Sequence, residues 1–397
     1  MKFEDSQSGI AIDSEFPCGS AGAVRALESA LYEIAYQPEE IPRWFQDTLD
    51  ELFAGAGVPK EYMAQVRVRC TADAPRRLRL RFLLSDKGSN YMYPPWWIRR
   101  RDGGWHWVPP EDLDFREHAY VDVALSLQPG ESVQVASAPY EEPEAVCEKA
   151  RRLAQRHDIW TYREIGTSGD GRPLPLLETA PRPLKLLVDA TMQSSEPVSW
   201  GILHVAHWLT IPTARARRLL EHVQFCLLPM TNPDGVYRGR SVTNASGEVP
   251  KFGINNLVEG RGAARETELL WNFLLELQPD ASIEVHAHFT QEDFTRSIGM
   301  HEKTAMPAHM QTKAGIIEDA LFANYHVEPL QNRKVCIDPR LPEHNVYGDR
   351  YVSERAGTIR TFLQAIPDSI ESHGADVREM VETVAAALIR WRESQPS

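Results

Sequence analysis

The spacing of apolar residues changes character along the chain. Between Gln65 and Phe82 it has a period of two: Val66, Val68 and Cys70 alternate with Arg67 and Arg69, and Leu78, Leu80 and Phe82 with Arg77, Arg79 and Arg81. Such alternation predicts strands with one dry face and one wet, charged face. Two further strands are predicted at 120–127 and 132–138. The stretch YMYPPWWIRRRDGGWHWVPP, residues 91–110, carries two Pro pairs and an Asp-Gly-Gly turn and reads as a hairpin of aromatic strands. Short strands with turn signals between them predict an antiparallel β-sandwich of about a hundred residues. Residues 22–56 show no clear period and are predicted to be irregular or helical at the surface, with Pro42-Arg43-Trp44-Phe45 as a packing anchor.

From residue 141 the pattern lengthens. EEPEAVCEKARRLAQRH, residues 141–157, has the few apolar positions of a half-exposed connecting helix. Arg163 to Arg172 reads as strand, turn, strand. Beyond it, continuous apolar runs predict strands at 184–190, 223–229, 281–287 and 358–366. Helical spacing predicts helices at 197–210, 264–277, 313–325 and 375–393. In the last helix Val377, Met380, Val381, Val384, Leu388 and Trp391 share one face. Alternating strands and helices specify an α/β domain with a largely parallel or mixed sheet. The expected division is an N-terminal segment and β-sandwich domain over 1–155 and an α/β domain over 156–397.

Composition narrows the function classes. A chain of 397 residues that is 42% apolar can bury two cores. Its net charge of −13 argues against a nucleic-acid partner, and the aromatic, arginine-rich hairpin is then better read as sandwich core plus interdomain contact than as a stacking platform for single strands. No apolar run reaches the length of a membrane span, and MKFEDSQSGI has no apolar leader core. Five cysteines, Cys18, Cys70, Cys147, Cys226 and Cys336, are odd in number and scattered, which fits reduced thiols in a cytoplasmic protein.

Four stretches of the second domain carry candidate chemistry: Gln193-Ser-Ser-Glu196; Pro229-Met-Thr-Asn-Pro-Asp-Gly235; Ile283-Glu-Val-His-Ala-His288; and Thr358-Ile-Arg-Thr-Phe-Leu-Gln364. Each lies at or after a strand end, so an α/β sheet gathers them along one edge. Their order and spacing resemble the M14 zinc metallocarboxypeptidases, in particular the cytosolic carboxypeptidase-like branch with an N-terminal β-sandwich. The resemblance covers about residues 160–390. Its most specific piece is PMTNPDG, supported by Glu-Val-His-Ala-His at the corresponding point of the chain and by Gly166-Thr-Ser-Gly-Asp-Gly-Arg172 at the start of the domain. It implies a mixed-sheet zinc-carboxypeptidase-like α/β fold, a zinc cofactor and metal positions at Gln193, Glu196 and His286. It further implies a general-base position at Gln364, with Glu371 as the alternative, and substrate contacts from Arg240, Asn256 and Tyr347.

Two positions depart from the family pattern. Gln193 stands where the family has a zinc-ligand histidine, and Gln364 where it has the catalytic glutamate. An amide oxygen is a weaker zinc donor than imidazole, and a primary amide cannot take a proton from zinc-bound water near neutral pH. His288 is the nearest spare ligand, whereas His204 and His207, on the following helix, read as packed structural histidines. Three readings remain open at this level. The first is a weakly active or inactive protein that binds a peptide C-terminus or small carboxylate, with zinc weakly held or missing. The second is an active zinc metallocarboxypeptidase with a rearranged site. The third is a scaffold forming a homo-oligomer through its sandwich.

Overall fold

Two β-sheets built from the first 136 residues face one another across a shared apolar core, and a third, larger sheet begins at Thr161. The computed structural model describes residues 1–37, 39–52, 63–84, 95–101, 103–116, 119–196, 198–287, 296–301, 303–325, 333–338, 349–365 and 370–395. The first sheet has the order β1-β2-β5-β11-β7-β8, from β1 (Lys2–Asp5), β2 (Ile10–Asp13), β5 (Gln65–Cys70), β7 (Trp97–Arg100), β8 (His106–Trp107) and β11 (Ser132–Ala136). The second has the order β3-β4-β6-β10-β9, from β3 (Val24–Glu28), β4 (Leu31–Ile34), β6 (Arg76–Leu83), β9 (Leu113–Arg116) and β10 (Tyr120–Leu127). Val66, Val68, Leu80, Phe82, Val121, Val123, Val133 and Val135 are buried between the sheets, while the intervening arginines of β5 and β6 face outward. All pairs are antiparallel except β4 beside β6.

The sandwich therefore starts far upstream of Gln65, where the sequence first predicts a strand. Residues 22–56 do not form the irregular or helical surface the sequence predicts throughout: β3 and β4 occupy 24–34, and only α1 (Arg43–Leu52) is helical. The reason lies in the pattern. Four of the five residues of β3 are exposed, so no apolar alternation marks it, and its backbone is satisfied only by pairing with β4.

After α2 (Pro143–Arg156), the eight-stranded third sheet runs β12-β13-β15-β14-β16-β19-β17-β18. Its members are β12 (Thr161–Thr167), β13 (Pro173–Glu178), β14 (Leu184–Ala190), β15 (Val223–Leu228), β16 (Ala281–Ala287), β17 (Arg296–His301), β18 (Arg333–Asp338) and β19 (Ile359–Ala365). The central strands β15, β14, β16 and β19 are parallel and buried on both faces, which is why they read as continuous apolar runs. Helices α3 (Ser199–Leu209), α4 (Ala214–His222), α5 (Pro233–Tyr237), α6 (Pro250–Val258), α7 (Arg265–Leu277), α8 (Ala308–Tyr325) and α9 (Ile370–Glu393) complete the domain. One face of the sheet packs with α3, α8 and α9, and the other with α6 and α7. The mixed α/β fold with a preceding β-sandwich agrees with the class read from the sequence. Among the described residues no helix is long and apolar enough to cross a membrane.

Candidate functional site at the carboxyl edge of the sheet

β14 ends in a strained turn. Thr191 takes φ 63°, a left-handed conformation that β-branched residues avoid, and it is fully buried. The turn is tied down on both sides. Thr231 donates to the Ala190 carbonyl through N (3.1 Å) and Oγ1 (2.9 Å), and Asn232 Nδ2 donates to the Met192 carbonyl at 3.2 Å. Ser194 Oγ donates to the Thr243 carbonyl at 3.2 Å, and the Ser195 amide to the Ser241 carbonyl at 2.6 Å. The Glu196 amide closes the turn on the Gln193 carbonyl at 3.0 Å. The outcome is a fixed, 1% exposed Glu196 carboxylate at the end of the strand.

PMTNPDG supports this turn from the next strand. The Asn232 side chain accepts from the Gly235 amide at 3.0 Å, capping α5. Asp234 is fully buried and accepts from Ser168 Oγ (2.7 Å), Arg172 NH1 (2.8 Å) and the Asp170 amide (2.8 Å), joining the β12–β13 turn to the site wall.

Glu196 meets His286 from β16. Its Oε2 lies 2.6 Å from His286 Nδ1 and accepts from the Ala287 amide at 3.2 Å. The other imidazole nitrogen, Nε2, lies 2.7 Å from Glu284 Oε1. Glu284 forms an ion pair with Arg360 on β19, whose Nε is 3.2 Å from Asp349 Oδ1. Asp189 stands opposite Glu284 in the β14–β16 register. All six groups are almost inaccessible to water. Burial, followed by the charge of Glu284, pushes the Asp189 carboxyl up to about 7, with Arg360 and His286 pulling the other way. Burial works against the Arg360 charge, but Glu284, Asp349 and Asp189 outweigh it and hold the guanidinium above its ordinary value.

Gln364 is the rung partner of His286 in the parallel β16–β19 ladder, so both side chains leave the same face of the sheet. Its Nε2 is buried and has no hydrogen-bond partner among the described residues. Phe362, two residues earlier on that face, sets its ring edge-on to His286 with centroids 6.4 Å apart. It crosses Gly299 on β17, where a Cβ would come within 1.7 Å of the ring.

The strand edge therefore brings Glu196, His286 and Gln364 together, with the Gln193 backbone closing the turn beside them. The remaining candidates are placed as follows. Arg240 lines a cavity against the N-terminal segment whose walls include none of those four residues. Asn256 is buried on α6, and its carbonyl accepts from the Arg261 amide at 2.8 Å. Glu371 is exposed in the first turn of α9. Tyr347 and His288 lie outside the described residues. His204 packs on α9, where a Cβ at Gly374 would lie 2.7 Å from its ring, and burial followed by the charge of Arg378 lowers its pKa. Glu284, Arg360, Asp189 and Asp349 are not among the residues the sequence singles out. The signal for the first three is a charged residue inside each otherwise apolar run, LLVDA, SIEVHA and TIRTFL; Asp349 carries no such signal.

A zinc ion held for hydrolysis usually takes three strong protein ligands and leaves one position open. The donor set here is one carboxylate, one imidazole and one amide, and both imidazole nitrogens already face carboxylates. Among the described residues no group of three or more His, Cys, Asp or Glu side chains is arranged to hold a metal ion. The residues present do not fit the usual zinc set.

Several comparisons bear on the origin of this edge. The chain superimposes on a metallo-carboxypeptidase from Burkholderia cenocepacia with a TM-score of 0.73, at 15% identity, over 96% of this chain and 100% of that one. It superimposes on a metallo-carboxypeptidase from Pseudomonas aeruginosa, in complex with (2-guanidinoethylmercapto)succinic acid, with a TM-score of 0.72, at 16% identity, over 95% of this chain and 99% of that one. No curated protein matches the sequence. The sequence model of the zinc carboxypeptidase family, Peptidase_M14, matches residues 146–275, the stretch that carries Gln193, Glu196 and the PMTNPDG turn. Over that stretch the sequence is similar to the zinc carboxypeptidase family, and the chain as a whole shares its fold with the two superimposed carboxypeptidases.

Proposed function

We propose that this protein uses its strand edge to bind the carboxylate of a small acid or of a peptide C-terminus, and that it hydrolyses such a ligand slowly or not at all. The observation that carries this reading is Gln364 Nε2, a buried donor on the rung beside His286 without a partner among the described residues. A buried amide hydrogen left unpaired is costly, and an acceptor arriving from a ligand removes that cost. A glutamate at this position would repel a carboxylate, whereas glutamine donates to one. The same glutamine offers no base to a water, and Gln193 offers a metal only an amide oxygen. The Pseudomonas relative, whose bound ligand is a succinic acid derivative, adds support for a carboxylate ligand in this fold.

The test combines elemental analysis with calorimetric titration of the intact protein by (2-guanidinoethylmercapto)succinic acid. Expected are zinc well below one equivalent, no turnover of peptide substrates, and saturable binding that Gln364→Leu weakens by about ten- to a hundredfold, the value of one hydrogen bond to a charged group. Gln193→His combined with Gln364→Glu raises zinc affinity. One equivalent of zinc in the unaltered protein, with carboxypeptidase turnover abolished by Glu371→Gln, would overturn the proposal and make Glu371 the base.

A further inference from the structure

The seam between the sandwich and the α/β domain holds a cavity of about 470 Å³, walled by Ser14, Phe16, Pro17, Gln37, Tyr237 and Arg240. Its size is that of a small-molecule site. What sets it apart is Arg240. Three neighbouring arginines are matched to carboxylates. Arg67 pairs with Asp13 (2.8 Å), Arg172 with Asp234 (2.8 Å), and Arg238, also on the cavity wall, makes two 2.9 Å hydrogen bonds to Asp170. The Arg240 side chain makes no ion pair or hydrogen bond among the described residues, and its Nε is shut away from water.

Glu39 turns its carboxylate onto the segment that follows Arg240. Its Oε2 accepts from the Thr243 amide (3.1 Å) and Thr243 Oγ1 (2.7 Å), and its Oε1 from the amide and hydroxyl of Ser241. Glu39 thereby fastens the N-terminal segment to the seam and leaves the guanidinium of Arg240 unmatched. Glu15, 62% exposed, stands at the rim.

We propose that this cavity is a second ligand site, separate from the carboxyl edge of the sheet, and that it takes a small monocarboxylate with an apolar body. A guanidinium presents a planar fork of donors that matches the two oxygens of one carboxylate. Only one positive charge is unmatched, and Glu15 disfavours a second negative charge at the mouth, which selects a monoanion over a phosphate. The amide of Gln37 and the hydroxyl of Ser14 add donors, and Phe16, Pro17 and Tyr237 provide an apolar wall. The carboxylate belongs either to a free acid or to a short peptide ending in a free carboxyl group.

The experiment titrates the full chain calorimetrically with phenylacetate, with phenylacetamide as the uncharged analogue, and with N-acetyl-Gly-Gly-Phe as the peptide. Saturable binding of phenylacetate, at least tenfold weaker for phenylacetamide, is expected. Arg240→Gln should weaken it at least tenfold and Arg240→Lys less, with thermal melts showing both variants folded. Tighter binding of the tripeptide than of phenylacetate would make the ligand a peptide terminus, and the reverse a free acid. The part of phenylacetate binding that depends on Arg240 should persist in Gln364→Leu, which separates this site from the one beside His286. Absence of saturable binding by both carboxylates overturns the proposal, as does binding unaffected by Arg240→Gln or removed by Gln364→Leu.

Discussion

Both halves of this protein bury carboxylates, and they treat them differently. In the sandwich Asp13 and Asp122, 3% and 1% exposed, each receive a two-pronged arginine from the adjacent strand: Arg67 in the Asp13 rung and Arg81 in the Asp122 rung. Those arginines keep 34% and 23% of their side chains in water, so each pair sits at the wet face of a half-dry sheet. In the α/β domain Asp189, Glu284, Asp349, Glu196, His286 and Arg360 lie on and beside strands that are buried on both faces, with no solvent side to turn to. The first arrangement is ordinary alternation with its charges neutralised. The second contradicts the apolar pattern of a central strand, and such contradictions concentrate where a fold carries function.

The largest expected effect tests that contrast directly. Arg360→Leu leaves Glu284 and Asp349 without their shared cation, and should cost about 3–5 kcal/mol of stability in urea denaturation, the penalty of an uncompensated buried charge. Adding Glu284→Leu to that variant should restore much of the loss, because two apolar residues then replace a broken pair. No recovery in the double variant would mean that Arg360 acts through packing rather than charge.

The sandwich counterpart should be milder. Arg81→Leu removes two 2.8 Å hydrogen bonds from Asp122, but Arg79 NH1 remains 3.6 Å away and water reaches the vacated side. A loss of about 1–2 kcal/mol is expected by the same denaturation measurement. Equal costs for Arg81→Leu and Arg360→Leu would erase the distinction between the two regions.

How much of this was legible in the sequence follows the same division. Strands with one dry and one wet face, β5, β6 and β10, announce themselves by alternation, and the central parallel strands by unbroken apolar runs. Edge strands do neither: β3 is mostly exposed, and β18, RKVCID, reads as mixed polar chain until its neighbour β17 is in place. The meeting of Glu196 with His286 could be anticipated because both end buried strands. The grip of Glu284 on the other imidazole nitrogen could not, since it depends on which face of β16 those two residues share with Arg360 and Asp189. Arg240 is a substrate contact only by what the family resemblance implies. Its place in the seam depends on how residues 14–17 and Gln37 pack against 237–240, which no local pattern encodes.

A third carboxylate sharpens the comparison at the smallest scale. Glu266, 3% exposed at the start of α7, has one oxygen 3.3 Å from the Asn244 side-chain amide and the other, Oε1, without a partner. Burial, followed by the charge of nearby Asp234, pushes its carboxyl up to about 7 from an ordinary 4.5. The folded protein therefore keeps a proton that the unfolded chain releases near 4.5. Stability contributed by this group is complete below that pH and is lost as pH rises through about 7. Glu266→Gln fixes the uncharged form at every pH. At pH 5 the variant and the unaltered protein should denature alike. At pH 8 the variant should be more stable, by about 1 kcal/mol once the altered contact with Asn244 is allowed for. Urea midpoints at the two pH values decide it. A stability difference that is the same at both would show that Glu266 is ionised throughout, matched like Asp13 and Asp122, and that unmatched burial in the α/β domain is confined to the carboxyl edge of its sheet.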